Sequence, residues 1–186
     1  REMQSERSEL ERELYLQALH KIASMRLMQY EVSNFAKADF QSRSNLKVWD
    51  GQPYLGLGCG AHSFDGVNRW GNVRSMRKYM ESVGREEPPR DFMETPTRLQ
   101  QASERLMLSL RRPEGLNIFS WQEEFQIGLS LEQKNQMEKL KGQDLVSWES
   151  PFLKLTTEGM LLADAITSEL MPDIQHEIMF NRKPIK

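Results

Sequence analysis

Three glycines at alternate positions, Gly56, Gly58 and Gly60, constrain this chain more than any other feature. They fall in the run Tyr54-Leu-Gly-Leu-Gly-Cys-Gly-Ala-His-Ser63. Their alternation with Leu57 and Cys59 has the period of a β-strand, over 54–59. Glycine weakens a strand, so three on one face imply that something packs very close to the backbone. A bound cofactor and a neighbouring element of the fold both satisfy that requirement. A P-loop does not, because no Gly-Lys-Ser/Thr ending is present.

The 186 residues suffice for one ordinary domain, or for a small domain with part of another. A net charge of −2 gives no general pull toward nucleic acid or anionic lipid. The single cysteine, Cys59, excludes an internal disulfide. It also cannot hold an iron–sulfur cluster by itself, which needs three or four thiolates. No apolar run approaches a membrane span of about 18 residues. The charged start Arg1-Glu2-Met3-Gln4 has no signal-peptide core, so the expected location is cytoplasmic. Without an initiator methionine, the chain reads as a piece of something longer.

Ser8 and Glu11 have the spacing of a capping box. Leu10, Leu14, Ala18 and Ile22 then predict an amphipathic helix over 9–25. A strand is expected over 29–35, a polar irregular stretch over 37–51, and the glycine strand after it. Helix, strand, loop, strand is the rhythm of an α/β unit. A short helix is expected over 73–83. Glu86-Glu-Pro-Pro-Arg90 is the strongest linker signal, and a domain boundary is placed there, giving 1–88 and 89–186.

Past that boundary, Thr95-Pro96 opens a helix with Leu99, Ala102, Leu106 and Leu110 on its apolar stripe. Helices over 118–125 and 130–140 follow, then strands over 145–148 and 152–155, then a last helix to Leu170. The order is winged-helix-like. Residues 97–171 hold eight basic and eleven acidic side chains, whereas a DNA reader carries a basic face. The module is therefore read as packing or lid, without nucleic acid.

On the extended reading of 30–36, Glu31, Ser33 and Phe35 share one face, and Tyr30, Val32 and Asn34 the other. A polar pocket and a wet edge strand are equally consistent with this. Trp49 reads as an anchor for its loop, His20 and His176 as surface residues, and Cys59 as a buried inert thiol.

Tyr30-Glu-Val-Ser-Asn-Phe-Ala36, Ser44-Asn-Leu-Lys-Val-Trp49 and Tyr54–Ser63, in that order and spacing, resemble the C-terminal part of HemW-type heme chaperones. These are radical S-adenosylmethionine proteins related to oxygen-independent coproporphyrinogen III oxidase. Arg105–Arg112 with Gly115, and Leu155–Asp164, resemble the family's C-terminal helical domain. The implied fold is α/β (α+β): the last part of an α/β barrel, followed by a winged-helix-like domain. The family's Cys-x-x-x-Cys-x-x-Cys motif, which holds a 4Fe-4S cluster, is absent here, so these residues alone start no radical chemistry.

The resemblance implies S-adenosylmethionine contacts at Gly58, Gly60, Ala61 and His62. It also implies a substrate or heme pocket drawing on Tyr30, Glu31, Asn34, Asn45 and Trp49. One departure stands out. The chaperones carry His-Asn-x-x-Tyr-Trp, a motif linked to heme binding, where this chain has Ser44 and Val48. Serine is not an axial ligand of the quality of imidazole. Either His62 substitutes, or heme is held differently, or the function is lost. The implied role is heme binding and delivery. Its rivals are coproporphyrinogen III oxidation on the same scaffold and a winged-helix interaction module without catalysis. Expected partners are heme or a porphyrin, the missing N-terminal barrel half and, through an uncovered strand edge, a second copy of the chain.

Overall fold

The computed structural model describes residues 2–172, with side chains from Glu9 onward, so His176 lies outside the described residues. In chain order the elements are α1 (Glu2–Ser24), β1 (Met28–Glu31), β2 (Asn34–Ala36), α2 (Arg43–Trp49), β3 (His62–Phe64), β4 (Arg69–Asn72), α3 (Met76–Gly84) and β5 (Arg90–Glu94). They continue with α4 (Arg98–Leu110), β6 (Leu116–Asn117), α5 (Ile118–Phe125), α6 (Leu131–Gly142), β7 (Val146–Glu149), β8 (Phe152–Leu155), α7 (Thr157–Leu161) and α8 (Ala163–Leu170). The sheets are small, open and antiparallel: β1-β2, β3-β4-β5 and β6-β8-β7. Among the described residues there is no closed barrel. No helix of the described residues is long and apolar enough to cross a membrane.

Two compact units are each assembled from separated stretches. The first takes 2–42, 110–118 and 131–170. Its helix α1 begins at Glu2, so Ser8 falls inside the helix and is not its cap. The stripe on α1 is largely uncovered, with Leu10 and Leu14 each 55% exposed. Tyr15, Leu19 and Ile22 are half-buried. Arg12 grips Glu158 of α7 with two hydrogen bonds, Nε to Oε2 at 2.8 Å and Nη2 to Oε1 at 2.5 Å.

The strand expected over 29–35 is instead a hairpin, with Glu31 opposite Asn34. Its turn forms because the Glu31 carboxylate folds back to accept from the Ser33 N–H at 2.7 Å and from the Asn34 amide. A carboxylate that close in sequence offers the backbone an alternative to extended pairing. The core of this unit gathers Leu116, Met137, Leu140, Val146, Leu153 and Met160. Here β8 is central between β6 and β7, and α6 leads into the β7-β8 hairpin. The short strand β6 is an addition to the sequence reading. The expected last helix is two, because the Leu162 N–H turns back to the Gly159 carbonyl at 3.0 Å.

The second unit takes 43–109, 119–130 and 171–172. The stretch expected to be irregular up to Gly51 contains α2. Glu86–Arg90 leads into β5, which pairs along β4. Helix α4 starts at Arg98, two residues beyond Pro96, because Thr97 and Gln100 cap each other. The Gln100 N–H donates to Thr97 Oγ1 at 3.3 Å, and the Thr97 N–H to Gln100 Oε1 at 2.7 Å. Trp121 of α5, 2% exposed, donates its Nε1–H to the Ala102 carbonyl at 2.9 Å. That bond gives a buried indole the partner it needs.

Candidate functional site: the glycine loop and its corner

The glycine run is not a strand. Tyr54 makes one antiparallel bridge to Phe64, and the chain then leaves the sheet until β3 begins at His62. Gly58 and Gly60 sit at φ +101° and +70°, which ends extended pairing. The close approach anticipated around the glycines exists at Gly56 alone. A Cβ there would overlap the His62 carbonyl oxygen and lie 3.0 Å from the Ala61 Cβ. Its close neighbour is the chain itself. At Gly58 the opposite holds: a Cβ would meet nothing within 4 Å.

The loop is pinned by its own hydrogen bonds. The Gly56 N–H donates to Ser63 Oγ at 2.9 Å, and that serine is fully buried. The Gly58 N–H donates to the Tyr79 hydroxyl of α3 at 3.2 Å, and the Gly60 N–H to the Val73 carbonyl at 3.0 Å. Asn72 braces the other side: its Nδ2 donates to the Gly58 carbonyl at 2.9 Å and its N–H to the Ala61 carbonyl at 2.8 Å. The N–H groups of all three glycines are thus committed within the fold, and none of the three is left for a ligand at this loop. The loop presents a rigid apolar surface, with Leu55 and Leu57 standing 69% and 82% exposed.

His62 closes the loop and is itself exposed. Its register partner is Gly71, whose next neighbour across the sheet is Phe92. A Cβ on Gly71 would collide with the Phe92 ring, so the glycine lets that ring lie across the sheet toward the imidazole. The two ring centroids are 5.5 Å apart, edge to face. Arg74 lies beside Gly60: a Cβ on Gly60 would have the Arg74 Cγ 3.7 Å away. Cys59 is half-buried, where a buried thiol was expected, because the loop stands off the sheet.

The remaining expected site residues are divided between the units. Tyr30, Glu31 and Asn34 belong to the β1-β2 hairpin of the first unit, Asn45 and Trp49 to α2 of the second. In the hairpin, Glu31 is 2% exposed and its carboxylate serves the turn. The expected alternation of faces over 30–36 is broken by that turn.

Ser63 was expected to offer a polar contact at the end of the run and instead accepts from the Gly56 N–H, while Asn72 and Tyr79, which also fix the loop, carry no signal in the sequence. The period of α3 was readable, but which of its faces meets the glycines was not. Nor does the sequence show a cavity of about 200 Å³ in the second unit, lined by Val48, Tyr54, Phe64, Arg69, Met107 and Leu108 among others. At its edge Arg69 bridges Glu94, at 2.7 Å, and Glu104. Burial works against that guanidinium's charge, and the hydrogen bonds to the two glutamates outweigh it, so its pKa is raised.

The chain is 29% identical to "Heme chaperone HemW" of Bacillus subtilis over 167 residues, covering 89% of this chain and 44% of that protein. The same name belongs to a Mycobacterium tuberculosis relative, 31% identical over 76% of this chain and 34% of its own length. This chain is HemW-like. A Danio rerio relative, "Radical S-adenosyl methionine domain-containing protein 1, mitochondrial", is 30% identical over 85% of the chain and 38% of its own length. The chain thus spans less than half the length of these HemW-type relatives. No protein-family model matches it. In fold it is similar to the coproporphyrinogen III oxidase (HemN) of Escherichia coli, a radical SAM enzyme. The TM-score is 0.67 at 16% identity, over 84% of this chain and 39% of that one.

Proposed function

We propose that this chain forms the C-terminal part of a HemW-type radical S-adenosylmethionine protein that binds heme and hands it on. Its relatives carry the names heme chaperone and radical S-adenosyl methionine domain protein. The observation that carries the reading within the chain is the open corner at Gly58, a preorganised apolar surface ending in an exposed imidazole.

The groups implied by the relatives fit this chain unequally. A 4Fe-4S cluster needs three or four thiolates, and the chain has Cys59 alone, so its residues by themselves do not hold one. Among the described residues no group of three or more His, Cys, Asp or Glu is placed to hold a metal ion. S-adenosylmethionine fits as a packing contact: its adenine is flat, and the open methylene of Gly58 gives it a face. The committed N–H groups of Gly56, Gly58 and Gly60 leave its polar edges to other residues. Gly60, Ala61 and His62 complete that wall. Heme fits the same apolar surface, so the two ligands would exclude one another there. On α2, Ser44 and Val48 offer iron no ligand, and Asn45 and Trp49 would contribute polar and stacking contacts.

The test is made on the full-length protein. Hemin titration is expected to give a stable Soret band with a stoichiometric endpoint, and incubation with coproporphyrinogen III no consumption. Absence of a saturable band would overturn the chaperone reading. Turnover of the porphyrinogen would replace it with the oxidase.

A further inference from the structure

We infer that His62 would ligate the iron of a heme docked on the glycine-loop corner, its ring held by Phe92 across Gly71, and that Arg74 would receive an acidic side chain of the tetrapyrrole. This rests on the heme-binding reading above and adds which residue ligates the iron.

Of the three histidines, His20 is exposed on α1 and His176 lies outside the described residues. His62 stands on a strand, its backbone fixed by pairing to Gly71 and its ring set against Phe92 at 5.5 Å. A ligand on a rigid element, with its ring orientation limited by packing, is what metal ligation rewards. The imidazole is exposed, so an iron can reach it.

The surroundings then select the ligand. Leu55 and Leu57 project from the loop, and the methylene of Gly58 faces open space. A flat macrocycle would pack on those exposed side chains and on the open methylene. A phosphate-bearing ligand gains no hydrogen bond from the three glycine N–H groups, which already donate within the fold. Arg74 is exposed beside Gly60 and makes no ion pair among the described residues, so its guanidinium is available to a carboxylate. Apolar face, imidazole and unpaired cation together match a tetrapyrrole acid.

The experiment uses the full-length protein with hemin, read by Soret and visible spectra, electron paramagnetic resonance and affinity. His62→Ala is expected to weaken hemin binding about 10- to 100-fold and to change the spin state. Added imidazole should restore the wild-type spectrum. His20→Ala and His176→Ala should leave the spectrum unchanged. Phe92→Leu should preserve ligation but broaden the resonance lines, as the imidazole gains orientations. Arg74→Ala should weaken hemin binding more than binding of a heme dimethyl ester. A wild-type spectrum in His62→Ala, with hemin bound at wild-type affinity, would overturn this assignment and leave the heme-binding reading intact. So would lower S-adenosylmethionine affinity in that variant with heme unaffected, which would make His62 a contact of the other ligand. If the wild-type protein binds no hemin, both readings fall together.

Discussion

Replacing Gly56 or Gly58 by alanine separates packing from backbone strain within one loop. At position 56 the added methyl would overlap the His62 carbonyl oxygen and sit 3.0 Å from the His62 carbonyl carbon. That carbonyl belongs to β3 and cannot rotate away, so the loop has to move out. Overpacking of this kind costs about 1–3 kcal/mol. Stretching the Gly56–Ser63 hydrogen bond leaves a fully buried hydroxyl short of a partner, which adds about 1 kcal/mol. The expected total is about 2–4 kcal/mol. At position 58 the methyl enters open space, and only the backbone at φ +101° resists it, at about 1–2 kcal/mol. Urea unfolding of the two full-length variants, followed by Trp fluorescence, should therefore place Gly56→Ala below Gly58→Ala in midpoint. Hemin affinity should separate them the other way: Gly58→Ala loses affinity out of proportion to its small loss of stability. A Gly58→Ala midpoint equal to or below that of Gly56→Ala would refute the claim that the space beside Gly58 is empty.

Asn72→Ala removes the side-chain brace on the Gly58 carbonyl and should cost about 1–2 kcal/mol. Limited proteolysis would then show faster cleavage within 55–61. Trp121→Phe empties part of the second unit's core and frees the Ala102 carbonyl, a loss of about 1–3 kcal/mol by denaturant titration. Asp65 accepts from the Asn68 and Val67 N–H groups at 2.6 and 2.8 Å, which holds its carboxyl below the ordinary value of 3.8. Its contribution to the β3-β4 turn is thus complete above that ordinary value and is lost as pH falls through the depressed one. The amide shifts of Val67 and Asn68 should titrate there in the wild type and stay flat in Asp65→Asn.

Elements whose signal is local were legible. The apolar period gave α4, α5 and α6, and the alternation with its turn gave β8. The count of one cysteine, Cys59, is enough to exclude a cluster held by this chain alone. What could not be read depended on one side chain answering another. Glu31 folding back onto Ser33 and Asn34 turned a strand into a hairpin, and no periodicity encodes that choice. Alternating glycines imitate a strand, but φ values of +101° and +70° are set by Tyr79, Val73 and Asn72, which lie well downstream in the chain. Close approach was expected at all three glycines and holds at Gly56 alone, which meets its own chain, while Gly58 meets nothing. The Leu10 and Leu14 stripe shows a related limit: periodicity fixes the face of a helix, not whether anything covers it.

Hydroxyl-radical footprinting of the full-length protein, with and without hemin, tests the central claim most directly. Bound hemin should shield Leu55, Leu57 and His62 while labelling at Tyr30 and Phe35 stays the same. Unchanged labelling at the first three, with shielding on the hairpin, would contradict the account.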